Sequence, residues 1–512
     1  MSRIDLNTLP ASFDAIVIGG GISGAGILRE AVRTGARLLL VEQNDFASGT
    51  SSASSKLVHG GLRYLKNKQW RLTLESVRER QRLLHEAPGL VETQPFLMPL
   101  YQGAKPGKFT MRLGLWIYDL MAGTSVSGWL PQASLLKIEP NLRKPDLLGA
   151  VHYEDARTDD ARLVQRLIRD AVDAGAVALN YVRADVLTSG AQVTGVRLTD
   201  SASGQTREIT GSMVINASGA WASDLQGAPE GSPKLRPLRG SHFVFSKETL
   251  PVQKAVSWLH PKDQRPIFAY PWEGAVVYGT TDLDHDASLG HPRMTREEAD
   301  YLIDGLSYQF PALQLKANDA LSTYSGVRPI VDSGKDNPSE ESRESAMWSS
   351  PGLVNITGGK LTTFRVTARE VLHEAAKQVP ALAPGKDQPV FEITNQQKHP
   401  LLFGRLFGRL GPKAATELLS NATAAELEMI EGTPYCWAEL HWAARHEQVH
   451  QLDDLLMRRT RIGLVMVNGG LEILPRVKEI CMAELAWDEA RWNAESARYL
   501  ELWQRNHAPV IA

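Results

Sequence analysis

The chain has 512 residues, more than the roughly 250–300 at which a single core stops growing, so two or three domains are expected. Its 43% hydrophobic and 22% charged residues fit a globular protein, and a formal net charge of −2 argues against a general nucleic-acid binder. Two cysteines, Cys436 and Cys481, are too few for a disulfide framework or a multi-cysteine metal site and suit a reducing, cytoplasmic compartment.

In chain order, MSRIDLNTLPASFD lacks the apolar centre of a signal peptide. No later run approaches the roughly 18 apolar residues of a spanning helix, so the expectation is a protein that does not cross a membrane. FDAIVIGGGISGAGILREAVRTGARLLLVEQ then carries the clearest signal. Ala15–Ile18 reads as a short strand, and Gly19, Gly21 and Gly24 complete G-x-G-x-x-G. Ile27, Ala31 and Val32 are spaced for the buried side of a helix that Gly35 ends, and Arg37–Val41 is a second strand. Glu42 closes it, 18 residues after Gly24. Framed this way, the glycines predict a dinucleotide site: backbone close to a pyrophosphate, a helix N-terminus facing its charge, and Glu42 accepting from a ribose hydroxyl.

The choice between FAD and NAD rests on the residues after Glu42. QNDFASGTSSASSK runs on in serines and glycine, as a loop along an extended cofactor would. MVINASGAWAS (213–223), with Gly219 and Trp221, and LVNITGGKLTTFRVTAREVLHEAA (353–376) repeat the pattern of strand and then glycine turn. Thr362 or Thr363 is placed to cap the second helix, with its positive end toward a flavin. Between these lie the β-type runs RGSHFVFS, RPIFAYPW and GAVVYGTTD, and a polar loop at 332–345. VPALAPGKDQPVFE (379–392) reads as a linker to a helical C-terminal region. KFTMRLGLWIYDLMAG (108–123) mixes apolar and interfacial residues with Lys108 and Arg112, which fits a membrane-surface helix or a core helix. The tail with Trp487, Trp492 and Trp503 is a weaker membrane candidate. HEQVH (446–450) matches a short metal pattern literally but is expected to be a solvated helix face, and no metal is expected.

IVIGGGISGAG, TSSASSKLVHGGLRYL, DDARLV, RGSHFV, YGTTD, TYSGVRPI and GGKLTTFR occur in order across residues 14–365. In these motifs the chain resembles the FAD-dependent glycerol-3-phosphate dehydrogenase family of the aerobic, respiratory type. MRRTRIGL (457–464) is the main likeness beyond residue 395. The resemblance implies an α/β fold: a glutathione-reductase-like FAD-binding Rossmann domain (10–65, 150–230, 350–385), an inserted β-rich substrate domain (66–149, 231–349) and a helical C-terminal domain (395–512). It implies oxidation of sn-glycerol 3-phosphate to dihydroxyacetone phosphate and electron transfer to ubiquinone or menaquinone. Peripheral attachment to the inner face of the cytoplasmic membrane and a homodimer are compatible with it; nucleic acid is not an expected partner.

On that resemblance, Thr50, Ser51, Ser52 and Ser55 line the cofactor with His59, and Gly60 and Gly61 allow close approach. Gly358, Gly359, Lys360, Leu361 and Thr362 meet it from the other side. Arg63, Arg328 and Lys360 are the cations for a phosphate, with Tyr64 and Thr281 as neutral donors. Removing the proton of the C2 hydroxyl needs a base that titrates near neutrality, and His242 in RGSHFV is the expected residue, with His59 second. Arg328 is placed to orient the hydroxyl as well. An amino-acid or amine oxidase of the same fold, a glycerol-3-phosphate oxidase that uses oxygen, and a flavoprotein with a structural or RNA-modifying role stay open as alternatives.

Overall fold

A computed structural model of the chain describes residues 4–62, 69–223, 233–285, 288–332, 334, 344–392 and 401–510. Two sheets organise it. At the centre of the first, Ser12–Ile18 pairs in parallel with Leu38–Val41 on one side and Thr206–Asn216 on the other. Val177–Leu179 and Leu353–Gly358 extend it in parallel, and Ser345–Ser350 closes one edge antiparallel. Ala15 to Val17 and Leu38 to Val41 are buried throughout, the unbroken apolar run required of a parallel strand covered on both faces. Asn216 and Asn355 are buried on adjacent strands and bond to each other (Nδ2 to Oδ1, 2.9 Å).

Helices Ile22–Ala31, Asp160–Asp173 and Phe364–Ala376 pack on this sheet around one apolar cluster. A Cβ at Gly26 would lie 2.8 Å from the Phe364 ring, so glycine sets how closely the first and third helices approach. The residues read as a linker are packed against this body instead of crossing solvent. Leu382, Val390 and Phe391 are buried, and Glu86 accepts from the Val390 N–H at 2.6 Å. Apolar side chains at the end of a nominally polar stretch made the difference.

The second sheet is ten-stranded and mixed. Leu235–Phe245 lies between Ala275–Gly279 and Ser322–Val331, both antiparallel to it. Leu147–Thr158 belongs to this sheet, paired with Val91–Tyr101, and so does Leu57–Val58. The boundary expected at residue 150 therefore falls inside a strand of the second sheet, because backbone pairing and not the glycine motifs decides membership.

The C-terminal helices share a core with this sheet. Tyr270, Trp272 and Tyr324 pack in one cluster with Leu440, Leu455, Trp492, Tyr499 and Trp503. Trp492 and Trp503 are thus core residues, which removes the tail as a membrane face. HEQVH is not a solvated face either: the helix Trp437–His446 ends there, and buried Glu447 pairs with Arg162 at 2.7 Å. Among the described residues no group of His, Cys, Asp and Glu is arranged to hold a metal ion, and no helix is long and apolar enough to cross a membrane. Part of the polar loop, residues 333 and 335–343, lies outside the described residues.

Candidate active site

The glycine turn is closed by backbone contacts too tight for any side chain. A Cβ on Gly24 would sit 1.9 Å from the Gly19 carbonyl oxygen, and one on Gly19, whose φ is +111°, 2.6 Å from that of Ala217. Only glycine closes this turn, and it leaves the start of helix Ile22–Ala31 facing the ends of the central strands. Glu42 accepts from the Gly20 N–H (2.7 Å) and the Asn44 N–H (2.9 Å). Those bonds fix the carboxylate while leaving each oxygen a further lone pair. Gly49 packs on Trp221, the Thr357 hydroxyl donates to the Gly219 carbonyl at 2.8 Å, and Gly358 and Gly359 both have positive φ. Turn, helix end and carboxylate fit a dinucleotide.

The serine run is used differently from the expectation. Ser51 Oγ accepts from the Ile22 N–H at 2.9 Å, and Ser52 donates to the Gly49 carbonyl at 3.3 Å. Thr50 donates to the Val327 carbonyl. Ser54 donates to buried Asp160 at 2.7 Å, and Ser55 Oγ lies 2.9 Å from His242 Nε2. These hydroxyls shape the loop from within and lean it on strand Ser322–Val331. Gly326 permits that contact, since a Cβ there would lie 2.5 Å from the Ala53 carbonyl oxygen.

Gly60 is likewise explained by packing: its Cβ would meet the Tyr118 hydroxyl at 2.3 Å and Val77 at 2.4 Å. Its N–H donates to Asp155 at 3.0 Å, and Gly61 has φ +77°. Thr363 occupies the N-cap position of helix Phe364–Ala376 without a side-chain cap bond, and Thr362 donates to the His59 carbonyl at 3.3 Å. Neither caps the helix as expected. Leu361 packs on the first sheet's core. Arg63 and Tyr64 lie outside the described residues.

His242 and Arg328 meet on one face of the second sheet. Gly240 stands opposite Gly326 and His242 opposite Tyr324, and residues two apart on a strand share a face. The Arg328 guanidinium lies over Gly240, where a Cβ would be 2.4 Å from Nη2. Asp282 bridges Arg328 (Nη1–Oδ1, 2.9 Å) and Arg265 (Nη2–Oδ2, 2.9 Å). The His242 ring is fully buried and stacks on Tyr324 at 4.7 Å. Among the described residues its Nδ1 has no hydrogen-bond partner. Burial, reinforced by Arg328, Lys56 and Arg265, holds its pKa well below the usual histidine range, so the imidazole is neutral at pH 7.

Thr281 is not a free donor. Its hydroxyl donates to Glu298 at 2.7 Å and accepts from the Ser241 N–H at 2.9 Å. Glu298 also takes the Ser241 hydroxyl and pairs with Arg239, tying helix Arg296–Gln309 to the histidine strand.

Sequence reading passed over Asp282, Asp160 and Arg461, although YGTTD, DDARLV and MRRTRIGL contain them. Arg461 is buried and donates to Asp159 at 2.8 Å, to Asp160, and to the Ser52 carbonyl at 3.3 Å. Lys56, expected nowhere in particular, is buried against Asp160 at 3.1 Å, and burial pulls its pKa down to about 8. A charged residue in a motif carries no label saying whether its partner is a ligand or another buried charge.

Comparison with known proteins points the same way. Residues 14–372 match the family model for FAD dependent oxidoreductases, and residues 393–492 match the C-terminal domain of alpha-glycerophosphate oxidase. The chain is 39% identical over 386 residues to the aerobic glycerol-3-phosphate dehydrogenase of Staphylococcus epidermidis, covering 74% of this chain and 69% of that protein. It is equally similar to the protein of that name from Staphylococcus aureus. A solved glycerol-3-phosphate dehydrogenase from Bacillus halodurans, complexed with FAD, superposes with a TM-score of 0.73 at 28% identity over 96% of this chain and 95% of that one. Glycine oxidase from Bacillus cereus (TM-score 0.54, 18% identity, 72% of this chain and 98% of that one) shares the fold.

Proposed function

Because the chain belongs to the FAD-dependent oxidoreductase family, alongside its aerobic glycerol-3-phosphate dehydrogenases, we propose that it oxidises sn-glycerol 3-phosphate to dihydroxyacetone phosphate. Bound FAD supplies the two-electron acceptor; Gly19, Gly21 and Gly24, Glu42 and the Gly358–Gly359 turn are the residues that hold it. The observation that carries the reading is the pairing on one sheet face of a neutral, buried His242 with Arg328 over Gly240. A neutral imidazole is the form able to take the C2 hydroxyl proton as the C2 hydride leaves, although burial makes it a weaker base than the near-neutral group expected from the sequence. Arg328, with Lys360, Arg63 and Tyr64, suits the phosphate, since a guanidinium offers the paired donors that a phosphomonoester's oxygens accept. An amino-acid carboxylate, a monoanion, would not need three cations.

The acceptor we assign is a membrane quinone, reached by docking on the bilayer surface. Helix Lys108–Ala122 supports this. Phe109 (82% exposed), Leu113, Trp116 and Leu120 form one apolar stripe facing solvent, at the i, i+4, i+7, i+11 spacing of a helix face. Lys105, Lys108 and Arg112 are exposed beside it, complementary to anionic headgroups. The core-helix alternative accounts only for the opposite face, Leu115 and Tyr118. Oxygen is the second reading, favoured by the oxidase-type C-terminal match. Anaerobic reduction of the flavin by glycerol 3-phosphate, but not by glycerol or amino acids, tests the substrate. Reoxidation by a quinone analogue against oxygen separates the acceptors.

A further inference from the structure

The base as sequence reading conceived it would touch its substrate. His242 is enclosed on every side the structure describes. Tyr324 covers one ring face, the Cδ2 edge lies 2.4 Å from where a Cβ of Gly279 would be, and no part of the side chain reaches solvent. The Nε2 edge meets the Ser55 hydroxyl at 2.9 Å, and Ser55 is partly exposed. A proton reaching the imidazole along a hydrogen bond of the described structure passes through that hydroxyl.

We propose that Ser55 relays the proton: the substrate's C2 hydroxyl gives its proton to Ser55 Oγ as Ser55 gives its own to His242 Nε2. The substrate's O–H electron pair becomes the carbonyl π bond, and the C2–H pair leaves as hydride to the bound cofactor. Serine is left neutral and the imidazole protonated, so charge and atoms balance. The inference rests on the reading of His242 as the final proton acceptor.

The loop is built to hold such a hydroxyl still. Tyr270 donates to the Ser55 carbonyl, and Tyr324 donates to the Ser54 carbonyl at 3.1 Å. Asp160 takes the Ser54 N–H at 3.0 Å and its hydroxyl at 2.7 Å, and is itself pinned by Lys56 and by Arg461 from the C-terminal domain. Pinning on both sides of residue 55 means the Oγ–Nε2 contact needs no rearrangement at the moment of reaction.

The test uses the flavin-loaded enzyme in anaerobic stopped flow, with Ser55→Ala, Ser55→Thr and His242→Asn. Ser55→Ala is expected to slow flavin reduction by about 10–100-fold, with flavin content and melting temperature as in wild type. Ser55→Thr, which keeps a hydroxyl, is expected to recover most of the rate. If Ser55→Ala matches wild type while His242→Asn is slow, the relay is wrong and the base reading stands. If His242→Asn itself matches wild type, the base reading fails and the relay with it. Equal slowing in Ser55→Thr and Ser55→Ala also overturns the relay, since the hydroxyl would not be what was lost. Nitrogen-15 NMR supplies a readout independent of turnover. The relay requires the resting His242 to carry its proton on Nδ1; a proton on Nε2 would reverse the Ser55 hydrogen bond and refute it.

Discussion

Replacing Arg328 by alanine separates recognition of the phosphate from the integrity of the fold. The Asp282 carboxylate is fully buried, and in wild type it pairs with both Arg265 and Arg328 at 2.9 Å. After truncation Arg265 still neutralises it, so the 3–5 kcal/mol penalty of an uncompensated buried charge does not arise. What is lost is the guanidinium at the proposed phosphate site, a side chain one-fifth exposed. Two unit charges 4 Å apart interact by about 4 kcal/mol at an effective dielectric of 20, and truncating one partner of such a contact costs about 2–5 kcal/mol. That converts to a fall in kcat/KM for glycerol 3-phosphate of roughly 30- to several thousand-fold. Plain glycerol, poor in wild type, should change little, and Arg328→Lys should rescue in part because an ammonium cannot form the bidentate fork. The assay is the ratio of kcat/KM for the two substrates with a soluble acceptor, alongside a melting curve. If Arg328→Ala keeps both fold and preference for the phosphorylated substrate, the anion site lies elsewhere.

Gly24→Ala places a methyl 1.9 Å from the Gly19 carbonyl oxygen, so the purified variant should lack flavin absorbance, whereas full flavin retention would contradict the cradle. Asp45→Ala removes a buried carboxylate shared by Arg458 and Arg459, the latter bound at 2.6 and 2.7 Å. Urea unfolding should show a loss of about 3–5 kcal/mol. Leu113→Ser with Trp116→Ser removes two exposed apolar side chains worth about 1.5–3 kcal/mol each on insertion. Sedimentation with anionic vesicles should fall at least tenfold, with soluble-acceptor activity unchanged. Burial of His507, whose ring donates to the Thr323 carbonyl at 2.9 Å, lowers its pKa to about 4. The unfolded chain then binds the extra proton first as pH falls. Its contribution is therefore intact above about pH 6.5 and erodes toward pH 4, by up to roughly 3 kcal/mol; His507→Asn should flatten that slope in pH-dependent unfolding.

The cofactor end of the molecule was legible because its chemistry is local. A turn that only glycine can close, a helix start and a strand-terminal carboxylate all lie within residues 15–42, and backbone geometry ties each residue type to its place. The motif glycines at 60, 240 and 326 were legible as glycines but not as to cause. Each makes room for a side chain or carbonyl from far along the chain: Tyr118, Arg328 and Ala53. Thr281 looked like a donor because a hydroxyl carries no sign of its partner, and Glu298, in the first turn of a helix that only the fold brings near, claims it.

By itself, then, the order of residues determined the dinucleotide half and the β-rich insertion, since period, turn chemistry and residue type act over a few neighbours; His242 and Arg328 became candidates through the motifs that carry the family resemblance. Tertiary structure decided which charges are spent on one another, as with Arg461 on Asp160 and Arg265 on Asp282. It also decided that His242 faces Ser55 from a sealed pocket, and that the stripe from Phe109 to Leu120 is left outside the core. Those outcomes depend on partners that only the fold brings together, from 17 residues apart for Arg265 and Asp282 to 301 for Arg461 and Asp160, or on which face of a helix finds a neighbour, and desolvation assigns its costs only once the chain has closed around them.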